Sequence, residues 1–151
     1  MRKTVIAVRG VSDSGKSTSI RLAYDELKKD ATVINPGEPA RERPKGPPEV
    51  KGAILEIDGV LVGFASPGDK AEILRPYLED LKTKGCTVIV CATHTWGGTV
   101  TLVESLQPEF VVDWTDKASP QVNHADGNRK TADVIIEKVR RAVVNAQLIE
   151  V

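Results

Sequence analysis

A chain of 151 residues with 40% apolar and 28% charged side chains can bury one core and has the composition of a globular domain. Its 21 basic and 21 acidic residues cancel, which argues against a broad basic face for gripping nucleic acid. No apolar run approaches the ~20 residues that cross a bilayer. The first ten residues lack the long apolar stretch of a signal peptide, so a cytoplasmic address is expected.

Thr4 to Arg9 is a β-branched run that stops at Gly10, the pattern of a buried strand. A helical pattern follows, with Ile20, Leu22, Ala23 and Leu27 on one face and Lys28 and Lys29 near its negative end. Ala31 to Asn35 is a second strand candidate. From Pro36 to Pro48, prolines alternate with glycines and charges, a density that rules out a helix or a central strand. That stretch reads as a solvated connector, or as a mobile or partner-binding loop whose Arg41, Arg43 or Lys45 reaches a phosphate.

Two strand-like runs, Gly52 to Ile57 and Val60 to Ala65, flank Asp58-Gly59 and predict an antiparallel hairpin. After Ser66-Pro67-Gly68, Asp69 is placed to cap a helix carrying Ile73, Leu74, Tyr77, Leu78 and Leu81 and ending at Gly85. Thr87 to Ala92 is the most continuous apolar run, expected to be a strand covered on both faces. A loop from Thr93 to Gly98, a short helix over Thr99 to Leu106 and a strand from Phe110 to Trp114 come next. A polar loop from Thr115 to Asn128 then leads to an amphipathic helix with Val134, Ile135, Val139, Val143 and Val144. On a single strand, Cys86 and Cys91 would face opposite ways, so both are expected as reduced core residues. The alternation predicts one α/β domain: a three-layer α/β/α sandwich with a mostly parallel sheet and one antiparallel hairpin.

Gly10-Val11-Ser12-Asp13-Ser14-Gly15-Lys16-Ser17 fits G-x-x-x-x-G-K-[ST] directly between a strand and a helix. Glycines let the backbone turn sharply and approach a ligand closely. Successive N–H groups, from Ser12 to Thr18, then make an anion cradle at the helix start. Lys16 would bring charge to the β- and γ-phosphates, and the Ser17 hydroxyl would ligate Mg²⁺. The segment resembles the Walker A element of the P-loop NTPase superfamily, in a variant similar to that of small P-loop kinases and transporter ATPases. The resemblance implies a P-loop NTPase-like fold, a nucleoside triphosphate and Mg²⁺.

The stretch from Leu55 to Asp69 also resembles a region of small GTPases, where a hairpin leads into Asp-x-x-Gly and the glycine amide meets the γ-phosphate. Here the letters are Ala65-Ser66-Pro67-Gly68, so Gly68 is kept while the aspartate position holds Ala65. Asp69 is the candidate to replace it at the metal, against the alternative of a plain helix cap. No Asn-Lys-x-Asp run reads guanine, and no Leu-Ser-Gly-Gly signature of transporter ATPases is present. ATP is therefore expected over GTP, which is not excluded. Asp58 and Asp113 are further carboxylates of solvated or structural character.

His94, with Thr93, stands at the end of a central strand, where α/β sheets bind ligands. It is a candidate for orienting an attacking water or sensing the γ-phosphate, or else a polar loop residue. His124 is given no role, and Trp96 and Trp114 are read as core or partner contacts. The expected activity is slow Mg²⁺-dependent NTP hydrolysis, with Lys16, Asp69 and His94 as catalytic candidates and a protein activator as a possible partner. The alternatives are a small-molecule or nucleotide kinase, and a non-hydrolysing regulatory module.

Overall fold

The computed structural model describes residues 2–11, 14–38, 49–117 and 124–148. Ser12, Asp13, Arg41, Arg43, Lys45, most of the proline-rich stretch and the side chain of His124 lie outside the described residues.

Six strands form one sheet: β1 (Thr4–Arg9), β2 (Thr32–Asn35), β3 (Lys51–Ile57), β4 (Val60–Ala65), β5 (Val88–Thr93) and β6 (Val111–Asp116). Their order across the sheet is β2-β3-β4-β5-β1-β6. β4, β5, β1 and β6 run parallel, while β3 is antiparallel to both β2 and β4. The hairpin turns at Asp58 and Gly59, whose φ values of 49° and 81° are the two positive angles that a tight hairpin turn needs. Beyond the one expected hairpin, β2 extends it into a three-stranded antiparallel wing.

Four helices complete the described fold: α1 (Lys16–Leu27), α2 (Ala71–Thr83), α3 (Gly98–Glu104) and α4 (His124–Gln147). Alternate residues of the central strands feed two separate cores, as expected for strands covered on both faces. Ile6, Val8, Val88 and Val90 pack with Ile20, Ala23 and Leu27 of α1 and with Ile135 and Val139 of α4. Val5, Ala7, Ile89 and Cys91 pack with Leu74, Leu78 and Leu81 of α2 and with Leu102 and Val103 of α3. Each fully buried aliphatic side chain contributes about 1.5–3 kcal/mol. Phe64 anchors the α1 side, meeting Tyr24 edge-on with ring centroids 5.2 Å apart.

Several local expectations change. α4 begins at His124, so Asn128 lies in a helix and not in a loop; it is buried beside the glycine-rich turn. On that helix Val134 and Val144 are exposed, and alanines 132, 142 and 146 take the buried places, because small residues let α4 approach α1. Asp69 is not the cap of α2. Lys70 holds that position without a side-chain cap bond, and the Asp69 carboxylate turns to another partner. Cys86 and Cys91 share one core, because Cys86 precedes β5 and escapes its alternation. Both thiols are free, and burial pushes them up to about 11 and about 12.

Candidate functional site

The register brings the carboxyl ends of the parallel strands level. Arg9 of β1 pairs with Thr93 of β5 on one side and with Asp116 of β6 on the other. Gly10 continues the first pairing, its N–H donating to Thr93 O at 3.1 Å. Lys117 continues the second, its N–H donating to Arg9 O at 2.8 Å. α1 leaves β1 toward one face, while α3 leaves the adjacent β5 toward the other. Adjacent strands whose helices diverge in this way open a crevice at their carboxyl ends, the usual ligand position in open α/β sheets.

Gly10 and Gly15, at the two ends of the glycine-rich turn, stand at this crevice. Gly15 has φ 96° and precedes α1 as its cap; a Cβ there would lie 2.1 Å from Asn128 Oδ1. Only glycine meets both demands. α1 has no side-chain cap and no acidic residue in its first turn, so the amides of its first turn are left to other acceptors. Ser17 and Thr18 stand on that turn, partly exposed.

Lys16 folds back over the turn and is only 6% exposed. Its Nζ donates to Gly10 O at 2.6 Å, Thr93 O at 3.0 Å and Asp69 Oδ1 at 3.2 Å. Four residues that the sequence names, Gly10, Lys16, Asp69 and Thr93, therefore meet at one amine, Thr93 through its carbonyl. Gly68 delivers Asp69 to this point. It is pressed so closely on β5 that a Cβ would sit 2.3 Å from Ala92 O. Ser66 fixes the approach from the other end, since Ser66 N donates to Val50 O (2.7 Å) and Ser66 Oγ accepts from Val50 N (2.8 Å).

His94 does not join this group. Its ring nitrogen Nδ1 lies 3.2 Å from Thr95 Oγ1, its ring meets Trp96 edge-on, and its backbone N–H donates to Thr99 Oγ1. Trp96 itself is 76% exposed at the tip of that loop. Asp58 sits in the hairpin turn and Asp113 pairs with Lys138 at 2.7 Å, so both are accounted for structurally. Among the described residues no group of three His, Cys, Asp or Glu side chains is placed to hold a metal ion. Ser17 and Asp69 remain the nominated pair, and Asp69 would have to leave Lys16 to serve.

The opposite flank joins Ser14 of the motif to Asn128 and Lys117, which the sequence did not single out. Ser14 Oγ and Asn128 Oδ1 are buried without a hydrogen-bond partner among the described residues. Lys117, 7% exposed, packs its Cβ against Gly10 and brings its Nζ beside Gly127. Desolvation lowers its pKa. Next to it, Arg9 Nε donates to Asp116 at 2.7 Å and its guanidinium lies 4.9 Å from the Trp114 ring centre, which holds the Asp116 carboxyl below its usual range. No sequence signal marks Lys117 or Asn128, because their role depends on β6 lying beside β1.

Comparison of the chain with family models, with curated proteins and with solved structures finds no match. Among the described residues no helix is long and apolar enough to cross a membrane.

Proposed function

We propose that the chain is a P-loop NTPase-like α/β/α domain that binds a nucleoside triphosphate, expected to be ATP, with Mg²⁺ and hydrolyses it slowly. The observation that carries this reading is Lys16, held at the crevice by Gly10, Thr93 and Asp69 after a left-handed Gly15. Such a turn offers backbone amides and a helix start to an anion. The orphaned Ser14 hydroxyl fits a phosphate oxygen lying against the turn, and glycine at positions 10 and 15 lets Ser14, Lys117 and Asn128 pack close around it.

In this reading the segment from Gly10 to Thr18, with Ser12 and Asp13, holds the phosphates. Gly68 offers its amide beside them. Lys16 stabilises the charge that builds on the phosphate oxygens. Its three present acceptors keep the amine ordered, so little reorganisation is needed when phosphate oxygens replace them. Ser17 and Asp69 would hold Mg²⁺, which supplies charge neutralisation when bound. Thr93 and His94 border the place where water would attack, His94 turning from Thr95 to do so.

A second reading, a non-hydrolysing nucleotide-dependent module, is favoured by that same engagement of His94 with Thr95 and Trp96. The kinase reading has less support, since Arg129 and Arg141 are committed to surface ion pairs along α4 and Arg140 faces Asp30 at the end of the α1 segment.

Calorimetric titration with ATP and GTP in the presence of Mg²⁺, with Lys16→Ala alongside and phosphate release followed, tests the proposal. Binding that Lys16→Ala abolishes, with slow release, is the expected result. Binding without release selects the second reading, and no binding of either nucleotide overturns both.

A further inference from the structure

Among the described residues, the buried Lys16 and the half-buried Lys138 both come with acceptors. Lys16 has three, and so does Lys138, whose Nζ donates to Asp113 Oδ1 (2.7 Å), Thr115 Oγ1 (2.9 Å) and Trp114 O (3.2 Å). Lys117 is covered as far as Lys16 taken as a whole residue, at 7% against 6% exposed, yet no hydrogen bond or ion pair holds its amine among the described residues, and the amine itself keeps an edge open to solvent. An ammonium that gives up much of its water without gaining a partner is costly, and packing alone would favour an apolar side chain of the same length. Beside it Ser14 Oγ is buried without a partner and can donate, while Asn128 Oδ1 is a buried acceptor without a donor. All three adjoin the glycine-rich turn. A Cβ on Gly10 would touch Ser14 Oγ at 2.8 Å and Lys117 Cβ at 3.2 Å, and one on Gly15 would meet Asn128 Oδ1 at 2.1 Å. Gly127 leaves the flank of the amine clear, since a Cβ there would stand 3.5 Å from Nζ.

We propose that Lys117, with Ser14 and Asn128, forms a second oxyanion-binding wall on the β6 and α4 side of the glycine-rich turn, so that a bound polyphosphate is gripped from both flanks. The proposal rests on the functional reading above and adds a residue and a chemistry to it. A full negative charge is the fitting occupant, because a neutral carbonyl would not offset the burial of an ammonium group. The Ser14 hydroxyl can donate to the same oxyanion, and the Asn128 amide can do so once turned over, with its NH₂ group in the place of the orphaned Oδ1.

The test is titration of the full chain with sodium tripolyphosphate and, separately, with ATP, using wild type, Lys117→Met, Lys117→Arg and Lys16→Ala. Lys117→Met is expected to weaken both ligands by roughly tenfold to a hundredfold. It should also raise the melting temperature of the free protein, a gain that removal of a structural lysine would not give. Lys117→Arg should keep most of the affinity. Without any substitution, tripolyphosphate should protect Lys117 from acetylation, as read by mass spectrometry. Loss of ATP affinity with unchanged tripolyphosphate affinity would overturn the proposal by moving the contact to the base or sugar. Binding lost in Lys16→Ala but kept in Lys117→Met would overturn this inference alone. No binding of either ligand by wild type would overturn it together with the functional reading.

Discussion

Two lysines flank the same glycine-rich turn and are buried to the same degree, but the fold treats them in opposite ways. Lys16 lies toward β5 and is saturated by two carbonyls and a carboxylate. Lys117 lies toward β6 and has no acceptor among the described residues. Burial alone therefore does not reveal what a lysine is for; the partner set does. A saturated ammonium is ordered in advance, and its partners must be exchanged when a ligand arrives. An unsaturated one lowers stability until a ligand supplies the missing charge, which is the usual tension between stability and a binding site.

The contrast is broken most severely at Lys16. Lys16→Ala removes the amine that joins Gly10, Thr93 and Asp69, and it should lower triphosphate affinity by roughly a hundredfold or more, about 3 kcal/mol. Calorimetry reads this directly, and an unchanged affinity would reassign the turn to a structural role. Gly15→Ala comes next. Its φ of 96° strains any other residue by ~1–2 kcal/mol. The collision with Asn128 adds to that, so denaturant unfolding should show a loss of about 2–3 kcal/mol. The double variant with Asn128→Ala separates the two parts. It should recover the collision but keep the backbone strain, giving non-additive effects. Additive losses would mean that Asn128 does not press on the turn.

Asp69 sharpens the comparison from the other side. If it holds Mg²⁺, Asp69→Asn should weaken Mg²⁺-dependent binding by about tenfold. Binding of triphosphate without metal should hold or improve, because the carboxylate no longer competes for Lys16. A helix cap would give neither change. The side chain is 57% exposed, so its pairing with Lys16 adds little to folding stability, and the variant should melt close to wild type.

Much of this was legible in the sequence where local rules act. The β-branched run from Thr4, the Asp58-Gly59 turn and the glycine-rich motif each carry their own physics, and each appears where expected. What was not legible depends on strand order. Nothing between Phe110 and Asn128 announces that β6 will lie against β1, so Lys117 and Asn128 read as loop residues until the register places them at Gly10 and Gly15. Asp69 shows the same limit: its spacing before α2 suits a cap, and only the closeness of Gly68 to Ala92 turns it toward Lys16 instead. Cys86 is the reduced core residue expected, but it faces the same core as Cys91 because its run of apolar residues begins before the strand does.

The smallest effect concerns protons. Lys117 has its folded pKa lowered below the ordinary 10.5 by desolvation. As pH rises, the folded protein gives up this proton first, while the unfolded chain keeps it until about 10.5. Within that window the unfolded state binds more protons, so stability rises with pH on this account. The buried thiols act in the opposite direction. Cys86 and Cys91, raised to about 11 and about 12, contribute stability that is complete below 9 and is lost as pH climbs through those values. Tyr77, raised to about 12 by burial and by its bond to Glu38, does the same above 10. These three groups are common to wild type and to Lys117→Met, so they cancel in the difference between the two stability curves. That difference should therefore be flat at neutral pH and climb toward wild type on the alkaline side, by at most ~1.4 kcal/mol per pH unit. It should level off past 10.5, where both states of the wild type have lost the proton. Saturating tripolyphosphate should suppress the climb, because an oxyanion beside the amine restores its hold on the proton. A flat difference at every pH would mean that the Lys117 amine keeps its water, and the two lysines would then differ in exposure and not in design.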